Sequence, residues 1–198
     1  DLLRETRRYA DATHTPIMMH LFETGSDESG SQKRFGKPAI QWLEENRFLG
    51  PDLLAVHSVA LGEKELERYE ANQVMVSYDP VSNMYLASGA APIRALKDRG
   101  LTVGLGTDGA GSNNNNHMLE AMKSGALLQK VIARDPQAMT AQEMLRMATI
   151  DGARALGLAD TIGSIEPGKA ADFFLFDPMA SAVACPVCGS AAAALVYA

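Results

Sequence analysis

Four short apolar runs, separated by segments with helical spacing, set the fold class of this 198-residue chain. The runs occupy residues 17–22, 53–58, 74–78 and 101–105. Apolar runs of this length are typical of buried strands, whereas the segments between them place apolar residues three or four apart, as amphipathic helices do. Because strand–helix–strand units pair their strands in parallel, this order predicts an α/β fold with a parallel sheet covered by helices.

Three of the four predicted strands end in a side chain that can bind a metal or move a proton. These side chains are His20, His57 and Asp108, and Glu23 lies in the polar stretch that follows His20. Since the carboxyl ends of parallel strands form the ligand-binding edge in such folds, we expect these groups to lie together. Imidazoles and a carboxylate suit Zn²⁺ or a similar divalent ion, and a neighbouring glutamate can carry a proton.

Each of these residues also has an ordinary structural explanation. An aspartate after a strand commonly caps the next helix, and a histidine on a strand can be a buried core residue. The placement of two of only four histidines at equivalent strand ends favours a site over those explanations. His14 and His117 lie outside the pattern, and we assign them no role.

The charge balance restricts the class of partner. A formal net charge of -6 disfavours nucleic acids and anionic membranes, and favours a small-molecule partner. No apolar run reaches the roughly 20 residues of a transmembrane helix, and the amino terminus lacks a signal-peptide pattern, so the predicted compartment is the cytoplasm. Nothing in the sequence indicates an oligomeric state.

The chain divides near residue 162. Residues 1–162 contain the strand–helix alternation, whereas residues 163–198 begin with turn residues, continue with a β-type run at 171–176 and end in a predicted strand at 195–197. The chain starts without an initiator methionine and inside a helical pattern. We therefore expect it to be a fragment of a longer protein.

The remaining elements follow from their boundary residues. Residues 23–27 and 79–83 are predicted loops. Cys185 and Cys188 form a single CxxC, which lacks the second ligand pair of a structural zinc site, and their role stays open. Predicted helices cover residues 1–12, 35–48, 63–72 and 92–99, a longer one opens at 113–116, and another begins at Thr140 with a capping box.

Five motifs occur in order along residues 14–177: His20-Leu-Phe-Glu23-Thr, Val56-His57-Ser58, Ser82-Asn-Met-Tyr-Leu-Ala-Ser-Gly89 with Ala91-Pro92, Gly104-Leu-Gly-Thr-Asp108-Gly with Ser112-Asn113-Asn114, and Gly163-Ser-Ile-Glu-Pro-Gly-Lys-Ala-Ala-Asp172. Together they resemble the amidohydrolase superfamily. They are most similar to its chlorohydrolase and aminohydrolase branch, which includes 5-methylthioadenosine/S-adenosylhomocysteine deaminases, guanine-type deaminases and triazine hydrolases.

The resemblance implies a metal-dependent (β/α)₈ TIM-type barrel, of which this chain holds only the second half, strands five to eight, and the start of a small β-sandwich. It implies that His20 on the fifth strand and Asp108 on the eighth bind the metal, usually Zn²⁺, with Fe²⁺ as the alternative. His57 on the sixth strand would orient the attacking water, Glu23 would protonate a ring nitrogen, and Asp108 would take the proton from water. The implied substrate contacts are Glu23, Ser82, Asn83 and Ser112.

The implied activity is hydrolytic deamination of purine-like heterocycles of the methylthioadenosine/S-adenosylhomocysteine class, in which metal-activated hydroxide adds to a ring carbon and ammonia leaves. Two alternatives stay open: a hydrolase of triazines or other chloro- or amino-heterocycles, and an inactive fragment. The family's His-x-His metal ligands from the first strand have no match here. Tyr78-Asp79-Pro80 stands where the family usually has His-Asn-Pro or His-Cys-Pro, which leaves the substrate open.

Overall fold

A single parallel sheet of four strands lies at the centre of the structure. The computed structural model describes residues 2–177 and 190–197. Neighbouring strands follow one another in the sequence, and each connection between them contains at least one helix, so the predicted α/β fold with a parallel sheet is confirmed. The strands are β1 (Ile17–Leu21), β2 (Leu53–His57), β3 (Met75–Tyr78) and β4 (Val103–Leu105).

Helices cover the sheet and extend the chain beyond its last strand. Among the described residues, none of the helices combines the length and hydropathy that crossing a bilayer needs. The helices are α1 (Leu2–Thr13), α2 (Ser26–Phe35), α3 (Ala39–Glu45), α4 (Glu63–Asn72), α5 (Pro80–Tyr85), α6 (Ile93–Asp98), α7 (Ala110–Asn113), α8 (Met118–Ala133), α9 (Ala141–Met147), α10 (Ile150–Ala155) and α11 (Ala191–Val196).

The strand register brings the carboxyl ends of the strands to one edge of the sheet. Leu21 at the end of β1 pairs with His57 at the end of β2, and Tyr78 at the end of β3 pairs with Leu105 at the end of β4. Residues that follow these positions therefore leave the sheet side by side. This edge carries the predicted site residues.

The core lies between the sheet and its helices. All five residues of β2 are buried, as expected for a central strand of a parallel sheet. Helix α4 turns only Leu66 and Tyr69 inward, at the three-residue spacing that the sequence predicts. Phe35 stacks on Trp42 with ring centroids 4.4 Å apart, which joins the end of α2 to α3.

Two helices form where the sequence indicated loops. The predicted loop at 23–27 ends inside α2, which has acidic residues in its first turn, basic residues in its last and a left-handed Gly36 after it. The predicted loop at 79–83 is mostly α5, which begins with Pro80 at its first position. Both patterns are too short or too polar to show an apolar stripe. The predicted helix at 35–48 is shortened to α3, because it begins only after Pro38.

Both strands predicted near the carboxyl end are wrong. Residues 171–176 form no strand, and Leu175 is 93% exposed, because no neighbouring strand in the described chain pairs with this run. The strand predicted at 195–197 is instead the end of α11, whose alanine run has high helix propensity. Ser190 caps this helix by accepting a hydrogen bond from the Ala193 N–H at 3.1 Å. Cys185 and Cys188 lie outside the described residues, and the division near residue 162 stays a prediction.

The capping box at the start of α9 is formed as predicted, and its loss should destabilise the protein. The Thr140 hydroxyl accepts from the Glu143 N–H at 3.2 Å, and the Glu143 carboxylate accepts from the Thr140 N–H at 2.9 Å. We expect Thr140→Ala to lower the free energy of unfolding by about 1 kcal/mol. Thr6→Ala is the control, since the exposed Thr6 hydroxyl donates back to the Leu2 carbonyl of its own helix. Equal effects in chemical denaturation would contradict this assignment.

Candidate metal centre and active site

The side chains of His20, His57 and Asp108 converge at the carboxyl edge of the sheet. Each offers one ligand atom, and these atoms lie within 4.8 Å of one another. His20 Nε2 is 3.8 Å from Asp108 Oδ1, and the two imidazole rings meet edge to face with centroids 4.8 Å apart. Two donors on a tetrahedral zinc lie about 3.4 Å apart. The donor set and its spacing therefore fit a divalent metal with a small inward adjustment.

Left-handed backbone turns carry the chain away from three of the strands at this edge. Phe22, His57, Ser58 and Asp108 have φ values of 54°, 75°, 51° and 57°. This region is unfavourable for residues other than glycine, and such strain concentrates at functional sites. Hydrogen bonds hold the turns, because the Phe22 N–H donates to the Asp27 carboxylate and the Ser58 N–H to the carbonyl that ends β1.

His57 is completely buried, and its two ring nitrogens have different surroundings. Nδ1 lies 2.8 Å from the Asn83 side-chain oxygen, which can only accept, so Nδ1 carries the hydrogen. Nε2 then presents its lone pair, and no hydrogen-bond partner meets it within the described chain. A buried acceptor of this kind is costly unless a ligand or water satisfies it. The residues at this point therefore fit a bound metal, a water or a substrate group.

Asp108 is held by two hydroxyl groups on a single oxygen. The Ser82 and Ser112 hydroxyls donate to Oδ2 at 2.7 and 2.5 Å, which leaves Oδ1 facing His20. Partial burial raises the pKa of Asp108, but the hydrogen bonds from Ser112 and Ser82 outweigh burial and lower it to about 2. The carboxylate is therefore ionised at any physiological pH, as a metal ligand must be.

Asp79 is a second acidic side chain at this edge that sequence reasoning did not single out as a site residue. It is 2% exposed, and its Oδ1 accepts a hydrogen bond from the backbone N–H of Asp108 at 3.1 Å. Burial raises the pKa of Asp79 despite the opposing effects of His57 and Ser77. A signal for it existed, because Asp79 directly follows β3 at the same edge of the sheet where Asp108 lies three residues after β4.

Gly106 provides the space that Asp79 occupies. A Cβ at this position would lie 2.3 Å from Asp79 Oδ1 and 2.6 Å from Ser77 Oγ. Both distances are far below van der Waals contact, so any side chain here would displace the carboxylate that holds the Asp108 backbone. The glycine in the Gly104-Leu-Gly-Thr-Asp108 motif is thus explained by close approach.

Glu23 lies beside His57 at the rim of the site. Its Oε2 is 3.7 Å from His57 Nε2, and its Oε1 accepts a hydrogen bond from the Ser88 hydroxyl at 2.7 Å. Ser88 belongs to the motif at 82–89, but the sequence alone indicated no role for it. The Glu23 side chain is 25% exposed, so one part of the carboxylate remains open to a ligand.

The residues predicted to contact substrate occupy two kinds of position. Ser82 and Asn83 are completely buried, with the Ser82 hydroxyl on Asp108 and the Asn83 oxygen on His57. Ser112 is half-buried and also bonds to Asp108. Glu23 alone combines a position beside His57 with an open carboxylate oxygen. Direct contact of the four residues with a substrate stays a prediction.

The model of the amidohydrolase family matches residues 1–197. This chain belongs to the amidohydrolase family. The amidohydrolase chain is 45% identical to a 5'-deoxyadenosine deaminase of Methanobrevibacter smithii over 177 residues, which cover 89% of this chain and 41% of that protein. It is 42% identical to a 5-methylthioadenosine/S-adenosylhomocysteine deaminase of Desulfitobacterium hafniense over 172 residues, which cover 87% of this chain and 39% of that protein.

A solved structure gives the same result for the fold. The crystal structure of an adenosine deaminase from Xanthomonas campestris with bound zinc matches this amidohydrolase chain with a TM-score of 0.92 and 36% identity, over 98% of this chain and 44% of that one. The structural neighbours of the present chain are amidohydrolase TIM-barrel proteins. The chain spans less than half the length of each of these three proteins. The resemblance inferred from the five motifs is confirmed.

Filling the space at Gly106 should damage the site more than filling space elsewhere in the same loop. We expect Gly106→Ala to lower the free energy of unfolding by about 1–3 kcal/mol, because the new Cβ overlaps the Asp79 carboxylate. Gly109→Ala is the matched control, since it has a φ of -74° and no atom within 4 Å of the added Cβ. Thermal or urea unfolding measures both variants. A Gly106→Ala protein as stable as Gly109→Ala would refute the close approach.

Proposed function

We propose that this chain is the second half, strands five to eight, of a (β/α)₈ barrel enzyme that hydrolytically deaminates adenosine derivatives. In this proposal, β1 to β4 are those strands. The observation that carries it is the convergence of His20, His57 and Asp108, with Glu23 beside them, at the carboxyl edge of the sheet. The names of the two relatives, both deaminases of adenosine derivatives, support the reaction class.

The proposed metal ligands from this chain are His20 and Asp108, with His57 Nε2 next to them. We propose that the remaining ligands come from a His-x-His motif in a preceding part of the protein. Zinc fits this donor set, with Fe²⁺ as the alternative. When bound, the metal supplies a Lewis acid that makes water a nucleophile near neutral pH.

The polar groups of the chain divide the proton transfers between them. Asp108 is ionised and accepts the first proton of the attacking water, and it then passes that proton to the leaving amine. The lone pair of His57 Nε2 accepts a hydrogen bond from the same water and orients it, since Nδ1–H is engaged by Asn83. Glu23 donates a proton to the ring nitrogen while the carbon bearing the amine becomes tetrahedral. When ammonia leaves, the hydroxyl on the same carbon becomes a carbonyl and its proton returns to the Glu23 carboxylate, so the ring nitrogen keeps the proton it received.

The activity is tested on the protein encoded by the complete reading frame that contains this chain. Loaded with zinc, it should release ammonia from 5'-deoxyadenosine, methylthioadenosine or S-adenosylhomocysteine. Release of chloride from a chlorotriazine, with no ammonia from any of the nucleosides, would select the alternative hydrolase instead. Absence of both products from a zinc-loaded protein would contradict the enzyme assignment.

Metal retention should depend on the strand-end histidine. We expect His20→Ala to lower the zinc content after dialysis against a chelator, because it removes one donor from a site with few ligands. His14→Ala is the matched control, since His14 is exposed and lies before β1, outside the cluster. Elemental analysis of the complete protein measures both. Unchanged zinc in His20→Ala would remove this residue from the ligand set.

Loss of the acidic proton on Glu23 should remove most of the activity and leave metal binding intact. We expect Glu23→Gln to lower kcat by about 10²–10⁴-fold, since a positioned general acid contributes that much. Glu67→Gln is the control, because Glu67 is an exposed residue in the middle of α4 and makes none of the contacts described for the site. Both variants should keep their zinc. A fully active Glu23→Gln enzyme would require another proton donor.

A further inference from the structure

We propose that Ser88 is a positioning residue that determines which oxygen of Glu23 carries the mobile proton. The inference rests on the proposed function, because it concerns the proton donor of that reaction. Two independent observations carry it: the hydrogen bond between Ser88 and Glu23, and the constrained turn that brings Ser88 there.

The hydrogen bond makes the two oxygens of Glu23 different. The Ser88 hydroxyl donates to Oε1 at 2.7 Å, so Oε1 has the role of an acceptor. Oε2 lies 3.7 Å from His57 Nε2, on the side where the ligand atoms converge. A proton on Oε1 would compete with the Ser88 hydrogen, whereas a proton on Oε2 would not. The proton that Glu23 donates and regains is therefore carried on Oε2, towards the reacting atoms.

The turn that contains Ser88 is fixed on both sides. Ala87 and Gly89, which flank it, have φ values of 56° and 123°. The Ser88 N–H donates to the carbonyl of Asn83 at 2.9 Å, which ties the turn to α5. A Cβ on Gly89 would lie 2.9 Å from Val59 Cγ1, so the turn also packs closely on the segment after β2. Such strained turns persist only where surrounding contacts hold them.

The same short segment therefore aligns two groups of the site. The Asn83 side chain fixes the ring hydrogen of His57, and its main chain anchors the turn that presents Ser88 to Glu23. The lone pair of His57 and the proton-bearing oxygen of Glu23 are thus directed into one space. Water and the ring nitrogen must meet in that space during the reaction.

The test compares Ser88→Ala, Ser88→Thr and Ser29→Ala in the complete zinc-loaded protein, with 5'-deoxyadenosine as substrate. Ser88→Ala frees Oε1 and lets the carboxyl group rotate, so kcat should fall about tenfold while KM changes less than about twofold. Ser88→Thr keeps the hydroxyl and should restore kcat to within about threefold of the wild type. Ser29→Ala, an exposed residue of α2, should match the wild type.

The solvent deuterium isotope effect on kcat provides a measurement that a merely structural role would not alter. It should increase in Ser88→Ala, because proton transfer from Glu23 becomes a slower step, and return to the wild-type value in Ser88→Thr. An unchanged kcat in Ser88→Ala, an effect on KM alone, or a threonine variant as slow as the alanine variant would overturn the proposal. If the wild type released no ammonia from any nucleoside, the proposed function would fail first, which separates the two failures.

Discussion

The strand ends of this protein must turn sharply while they keep non-glycine side chains in place. Phe22, His57, Ser58 and Asp108 all adopt left-handed backbone conformations there. Each such residue costs about 1–2 kcal/mol, so the turns need compensation from their surroundings. Buried hydrogen bonds provide it, as where the Asp79 carboxylate accepts from the backbone of Asp108. As a result of these turns, neighbouring strands direct the polar side chains at their ends to one point.

Helix α5 and the turn after it orient the polar side chains that these strand ends bring together. The segment lies directly after β3, so it reaches the side chains at the ends of the other strands. It fixes the tautomer of a buried imidazole, occupies one oxygen of the Asp108 carboxylate and holds one oxygen of the Glu23 carboxylate. In each case a side chain of the segment engages one atom of its partner and leaves the partner's other nitrogen or oxygen open to a ligand. These contacts are Asn83 with His57, Ser82 with Asp108 and Ser88 with Glu23.

The sequence predicted the parts of the molecule whose signal is local. Apolar runs indicated the strands, and the strand-end positions of His20, His57 and Asp108 indicated their convergence. The contacts of Asp79 and Ser88 could not be predicted, because they join residues 29 and 65 positions apart. Such contacts depend on the paths of loops, which carry no periodic pattern. The error at 171–176 has a related cause, since a β-type run forms a strand only beside a partner, whereas 195–197 follows an alanine run that forms a helix.

The close fit of Gly106 against Asp79 couples two loops, because a substitution in one of them limits which residues the other can hold. The turn after β3 supplies the Asp79 carboxylate. In the turn after β4, Gly106 has no side chain and so leaves the space that this carboxylate fills. A side chain at position 106 would need smaller or displaced groups at both Asp79 and Ser77, so these positions cannot change independently. Loop exchange between amidohydrolases of different specificity should therefore transfer both turns together. Grafting one of them would move the carboxylate of Asp108 away from its histidine neighbour.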